Sequence, residues 1–264
     1  MIFISIPVLV VDGQMKFYLG LHQPSDTYHI GVPYIISVKR LLSRKKMIYG
    51  DWLMDSGGFT ELSINGFYTT NLKQYVEIIN RFCPNGAFAQ DWMCQKTILR
   101  KTGKSIREHQ KLTTKSFLDL EQSIGERAIP VLQGFYGQDY IRHVEDYLRE
   151  GVKLERTFGL GSVATRSRVD MPENIVCGIK QRFPKIKLHG FGLKVASFKR
   201  PLLVKNLDSA DSMAWSFDAR WTKGKRGIVN RNNWKVALEW REKVLNQIED
   251  TKGKKNYQGK LFFI

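Results

Sequence analysis

Short apolar runs recur along this 264-residue chain, and between them lie longer stretches whose apolar residues return every three or four positions. That alternation predicts strands and helices in a parallel βα order. The strand candidates are 52–55, 87–91, 128–134, 156–161, 186–192 and a short run ending near Asp211. Ahead of them, segments near 2–10 and 16–21 predict an N-terminal pair of strands in a hairpin-like extension, followed by a basic, Pro-containing connector. The first apolar segment lacks a basic n-region and a small-residue cleavage site and is too short to span a bilayer, so it reads as a buried strand with no membrane role.

The helical stretches carry start signals. One begins at Asn71 with Gln74 three residues on, and its apolar face is Leu72, Tyr75, Ile79 and Phe82. Another opens with Ser105 and Glu108, a spacing in which each side chain satisfies a free backbone N–H, and buries Ile106, Thr113, Phe117, Leu120 and Ile124. Asp170 and Glu173 repeat the spacing ahead of Ile175, Val176, Ile179 and Phe183, and Pro184 stops that helix. A last helix, about 231–249, presents Trp234, Leu238, Val244, Leu245 and Ile248. Length and element order together predict one domain over 1–264: an α/β (β/α)8 TIM barrel with the N-terminal extension and a basic C-terminal helix.

Charge adds a partner. Lys and Arg outnumber Asp and Glu by 42 to 25, a formal charge of +17, which points to a polyanion. The excess is clustered. Residues 39–46 hold five bases and no acid, 96–115 seven bases against Glu108, and 223–260 eleven bases against four acids. Candidate phosphate contacts are Lys39, Arg40, Lys45, Lys46, Arg100, Lys101, Lys104, Lys223, Lys225 and Arg226. Three scattered cysteines, Cys83, Cys94 and Cys177, build neither a disulfide framework nor a four-ligand zinc site, which suits a reducing cytoplasm and a protein without metal or cofactor.

Polar and glycine residues fall just after each strand candidate, as in LMD-SGGF, AFAQD-W, VLQG-F, FGLG-S, LHGFG and SAD-SMAW. In a βα barrel those C-terminal strand ends converge on one pocket. Single instances are ordinary turns and helix caps; six in register are a site.

Asp55-Ser56-Gly57-Gly58-Phe59 resembles the Asp-Ser-Gly-Gly-aromatic motif of the tRNA-guanine transglycosylases. The order of later motifs matches too: Asp91, then Gln133-Gly134, then Gly159-Leu160-Gly161, then Asp211. The likeness covers roughly 50–220 and is greatest to the DNA-modifying branch of phages and bacterial islands, which inserts 7-deazaguanines. It implies exchange of guanine in DNA for a free 7-deazaguanine such as preQ0. Asp211 would be the nucleophile of a covalent glycosyl-enzyme and Asp55 the general acid/base. Asp91 would take the N1/N2 edge of the base, the Gln133 amide and a Gly159 N–H would face O6, and Phe59 would stack. Ser56, Gly58, Gly134, Leu160 and Gly161 would complete the base pocket.

Three departures matter. SMAWSFDAR (212–220) replaces the Pro-Thr-Arg stretch that normally follows the nucleophile, which leaves Asp218 as an alternative; Asp208 and Asp12 read as turn residues. His189 stands where the tRNA enzymes carry an apolar stacking residue, either touching the sugar or base or serving as a satisfied structural group. No cysteine follows Cys177, so the family's zinc site cannot form, which tilts the substrate from tRNA toward DNA. A buried guanine must then be flipped or already single-stranded, and Trp92, Phe135, Tyr136 and Trp215 stand beside strand ends as wedges or pocket walls. A tRNA enzyme, a guanine glycosylase that hydrolyses the same bond, and a non-catalytic nucleic-acid-binding subunit are the competing readings.

Overall fold

The computed structural model describes residues 15–164, 170–216 and 233–253. Nine strand segments form one parallel sheet: β1 (Lys16–Leu21), β2 (Tyr34–Ser37), β3 (Trp52–Asp55), β4 (Gly86–Phe88), β5 (Ala128–Ile129), β6 (Val131–Leu132), β7 (Thr157–Leu160), β8 (Lys187–Gly190) and β9 (Ser209–Ser212). Their order is β5-β4-β3-β2-β1-β9-β8-β7-β6. The two ends of that order are halves of one stave, divided only by Pro130, which has no N–H to give the ladder. β5 pairs with β4 and β6 with β7, so the sheet closes into an eight-stave barrel.

The helices follow the strands: α1 (Gly58–Ile64), α2 (Leu72–Phe82), α3 (Lys96–Thr102), α4 (Ile106–Ile124), α5 (Gly137–Arg149), α6 (Asp170–Arg182), α7 (Pro201–Asn206) and α8 (Trp234–Lys252). Asn71 with Gln74 and Ser105 with Glu108 form the reciprocal caps their spacing predicts. At the third such spacing the helix already includes Asp170, and the Glu173 carboxylate pairs with Arg200 instead. No helix among the described residues is long and apolar enough to cross a membrane.

Three expectations change. Segment 16–21 is a barrel stave, parallel to both β2 and β9, and not half of a hairpin; its expected partner, 2–10, lies outside the described residues. The connector holds the stave β2, YIIS, which is followed by a short 3-10 turn and not by the helix that a βα unit would show. The C-terminal helix α8 carries four bases and four acids, so the positive charge of that end belongs to its flanks. It closes the wall beside β1, with Trp240 against Phe17 and Trp234 stacked on His29.

Two cores result from the alternation of side chains along the staves. Outward residues such as Phe17, Ile36, Met54, Phe158 and Leu188 meet the helices. Inward residues Tyr18, Ile35, Leu53, Phe88 and Val131 fill the barrel, with Ile129 and Phe191 against them. That interior plug is the floor on which the polar strand ends stand.

Candidate active site

Above the plug lies a cavity of about 230 Å³ at the C-terminal ends of the staves, whose walls include Ser37, Asp55, Gly58, Phe59, Asp91, Met93, Gly161, Phe191, Asp211 and Met213. Larger surface hollows lie between α4 and α5 and near the bottom of the barrel, away from the strand ends where βα chemistry sits. Three carboxylates from β3, β9 and the segment after β4 therefore share one small space.

Asp55 ends β3 and accepts from the Gly57 N–H at 3.0 Å. Burial pushes its carboxyl up to about 6, with the Asp211 charge adding to the rise and the Gly57 N–H and Ser37 hydroxyl opposing it. Gly57 turns the chain with φ +75°, and a Cβ there would meet the Lys39 stem at 2.8 Å. Gly58 must be bare for a different reason: a Cβ would lie 2.5 Å from the Tyr68 hydroxyl and 3.0 Å from Asp91 Oδ1.

Asp91 is held from two sides. Ser56 Oγ donates to its Oδ1 at 3.0 Å, and Gln133 Nε2 donates to its Oδ2. Burial, with the Asp55 charge adding to it, raises this carboxyl to about 7 against the opposing hydrogen bonds of Ser56 and Gln133. Gln133 is in turn fixed by Ser162 Oγ, which donates to its Oε1 at 2.6 Å, and by its own N–H, which donates to His143 Nδ1 at 2.8 Å. Burial lowers His143 to about 4, so it stands as a neutral acceptor.

Asp211 presents differently. Its Oδ1 accepts from the Gly192 N–H at 3.0 Å and meets His189 Nε2 at 3.2 Å, while His189 Nδ1 meets Ser209 Oγ at 2.9 Å. The imidazole that satisfies both contacts donates from Nε2 to the carboxylate and accepts the Ser209 hydroxyl proton at Nδ1.

The structure thus gathers Asp55, Gly58, Phe59, Asp91, Gly161 and Asp211 on one cavity and moves other expected residues off it. His189 is fully buried beneath Asp211, its ring among Tyr18, Phe88 and Phe191, and belongs to the structural alternative. Ser56 and Gln133 are also fully buried, and both donate to Asp91. Gly159 cannot offer its N–H to a ligand because it donates to Pro130 O at 2.8 Å. Leu160 points outward into the helix-facing core, and Gly134 sits against Asp139 and Tyr140 at the start of α5. Trp215 is core, donating to Gly20 O at 2.8 Å, and Trp92 packs on Tyr68 and His109. The cavity residues Ser37, Met93, Phe191 and Met213 were not singled out; Phe191, inside the HGFG strand end, and Met213, inside SMAW, carried a signal.

The basic candidates also divide. Lys39 pairs with the buried Glu61 at 2.9 Å, and Lys101 donates to Ser63 O and Ile64 O at 2.7 and 2.6 Å, so both ammonium groups are committed within the protein. Lys45 and Lys46 are exposed, but Arg81 at the end of α2 donates to Lys45 O, which puts them toward the far end of the barrel. Arg40 and Arg100 are exposed and Lys104 half-exposed. Lys223, Lys225, Arg226 and the alternative nucleophile Asp218 lie outside the described residues, as does Asp12. Asp208 accepts from the Leu188 N–H and pairs with Lys180, as a turn residue does.

A family model described as DpdA, DeoxyPurine in DNA protein A, matches residues 13–258. No curated protein matches the chain.

Proposed function

Because this chain belongs to the DpdA family, a DNA 7-deazaguanine transglycosylase family related to tRNA-guanine transglycosylase, we propose that it exchanges guanine in DNA for a free 7-deazaguanine such as preQ0. The observation that carries the reading is the convergence of Asp55, Asp91 and Asp211 on one cavity of about 230 Å³, a space suited to a single heterocycle.

Asp211 is the nucleophile. With Oδ1 tied to Gly192 and His189, the carboxylate presents Oδ2 to C1′ of an extruded nucleotide. A C1′–O bond forms, the C1′–N9 bond breaks, and the departing guanine takes the proton held by Asp55. Asp55 then accepts the N9 proton of the incoming 7-deazaguanine, whose N9 attacks C1′ and releases Asp211. A carboxyl with its pKa near 6 serves both directions at neutral pH. Two displacements retain the anomeric configuration, and no proton is consumed overall.

Asp91, aimed by Ser56 and Gln133, is the acceptor for the N1–H and N2–H edge, while Met93, Met213 and Phe191 supply apolar surface for the rings. Adenine offers no such pair of donors and leaves the buried carboxylate unmatched. A guanine within duplex must leave the stack before its C1′ can reach Asp211.

The test is base exchange on DNA carrying labelled guanine, run in parallel on single-stranded DNA, duplex and tRNA. Label should leave DNA only when preQ0 or a related base is supplied, and Asp211→Asn should abolish release. Release without an acceptor, leaving abasic sites, would assign hydrolysis; exchange confined to tRNA would assign the RNA substrate. Undiminished exchange in Asp211→Asn would remove the nucleophile from the scheme.

A further inference from the structure

Beside the cavity, α3 bridges two segments that each expose large apolar side chains. At its C-terminal end Lys101 caps the last carbonyls of α1, next to Ile64, which is 67% exposed, and to the turn bearing Phe67, 57% exposed. At its other end the Lys96 ammonium lies 5.3 Å from the Phe135 ring, whose neighbour Tyr136 is 64% exposed. Gln95, immediately before α3, and Phe59, in the first turn of α1, are cavity walls, so this ridge borders the mouth along one side.

The ridge is built to be stiff. Glu61, buried under α1, accepts from Lys39, from Asn65, and from the hydroxyls of Thr69 and Thr70, which pins the turn that carries Phe67. Although burial alone would raise it, those partners hold the Glu61 carboxyl down at about 2. Exposed rings on a rigid backbone lose little entropy when covered. α3 reads KTILRKT, with three bases and no acid, and 65–70 and 134–136 contain no acid either. Apolar rings interleaved with unopposed cations match a strand of alternating bases and phosphates better than an apolar protein face.

We infer that this ridge is the docking surface for single-stranded DNA flanking the extruded guanine, with Phe67 and Tyr136 stacking on bases and Lys96 and Arg100 on phosphates. The inference rests on the exchange reading for its occupant. Its test is a binding measurement that does not depend on turnover.

Fluorescence anisotropy with a labelled guanine-containing single strand is followed against salt for the wild type, for Lys96→Glu/Arg100→Glu and for Phe67→Ser/Tyr136→Ser. Calorimetric binding of free preQ0 and the melting temperature serve as controls, since none of the four residues lines the cavity. The charge pair should lower the slope of log K against log salt by about 1.4, at roughly 0.7 per phosphate contact on a single strand. The aromatic pair should weaken binding by roughly tenfold per ring with the slope retained. Unchanged affinity and slope in both pairs, with the controls intact, would overturn the inference, as would a change in oligomeric state without a change in DNA affinity. Wild-type protein that binds DNA through the ridge but exchanges no base would sink the exchange reading instead.

Discussion

Asp91 should cost the protein stability at the pH where it works. Its carboxyl is raised from 3.8 to about 7 by burial and by Asp55, so the folded state resists an ionisation the unfolded chain accepts freely. The sign follows from proton counting: the folded state binds the extra proton, so the penalty is absent below about pH 4, builds as pH rises, and is complete above about pH 7. A shift of about three units at ~1.4 kcal/mol each sets a ceiling of ~4 kcal/mol. Asp91→Asn removes the charge while keeping the shape. The amide oxygen can accept from Gln133, and the amide nitrogen can donate to Ser56, whose hydroxyl reverses its role. Thermal melts of the two proteins should coincide near pH 4 and diverge in favour of the variant by roughly 5–10 °C at pH 8, at about 2–4 °C per kcal/mol for a chain of this size. The variant should bind no guanine. A melting difference that is flat with pH, or a variant less stable at pH 8, would refute the desolvated carboxyl and with it the assignment of Asp91 to the base edge.

Affinity for free 7-deazaguanine should rise with pH and level off above about 7, because the ionised Asp91 is the form that accepts two N–H groups; calorimetry at pH 6 should give a Kd roughly tenfold weaker than at pH 8. Replacing His189 by Leu should lower kcat by about 10²-fold with KM little changed, whereas His189→Gln, which keeps a donor near Nε2, should recover much of the rate; equal loss in both would remove its role in positioning Asp211. Gly57→Ala forces a left-handed backbone at φ +75° and drives a Cβ into the Lys39 stem, and chemical denaturation should show a loss of about 1–3 kcal/mol.

Most of the barrel was legible because its staves are bounded by residues with one job. WLMD, IKLHGFG and AIPVLQG end where glycines and polar groups begin, and the caps at Asn71 and Ser105 mark where helices start. β2 escaped notice because it is followed by a short 3-10 turn, with no helix to announce a βα unit. Ser37 and Ile35, both on the cavity, went with it. The basic run 39–46 looked continuous in one dimension, yet the path from the top of β2 to the bottom of β3 carries its two ends to opposite faces of the barrel, and Lys39 is spent on Glu61.

Three of the expected ligand residues that stand off the cavity share one geometric feature. Ser56, Gln133 and His189 each stand one hydrogen bond behind a cavity carboxylate, Ser56 and Gln133 on Asp91 and His189 on Asp211. A polar residue at a strand end signals only that a polar partner is near, and sequence spacing cannot tell a ligand atom from a neighbouring carboxylate. The distinction has a chemical consequence here. A carboxylate that recognises a base or passes it a proton must be dry enough to be selective and still ionise, and dryness alone drives both Asp55 and Asp91 toward the neutral acid. The donors of Ser56, Gln133 and Gly57 offset part of that cost without occupying the cavity, so the space is left for the base, and their loss should show first as a change in the pH at which the site works.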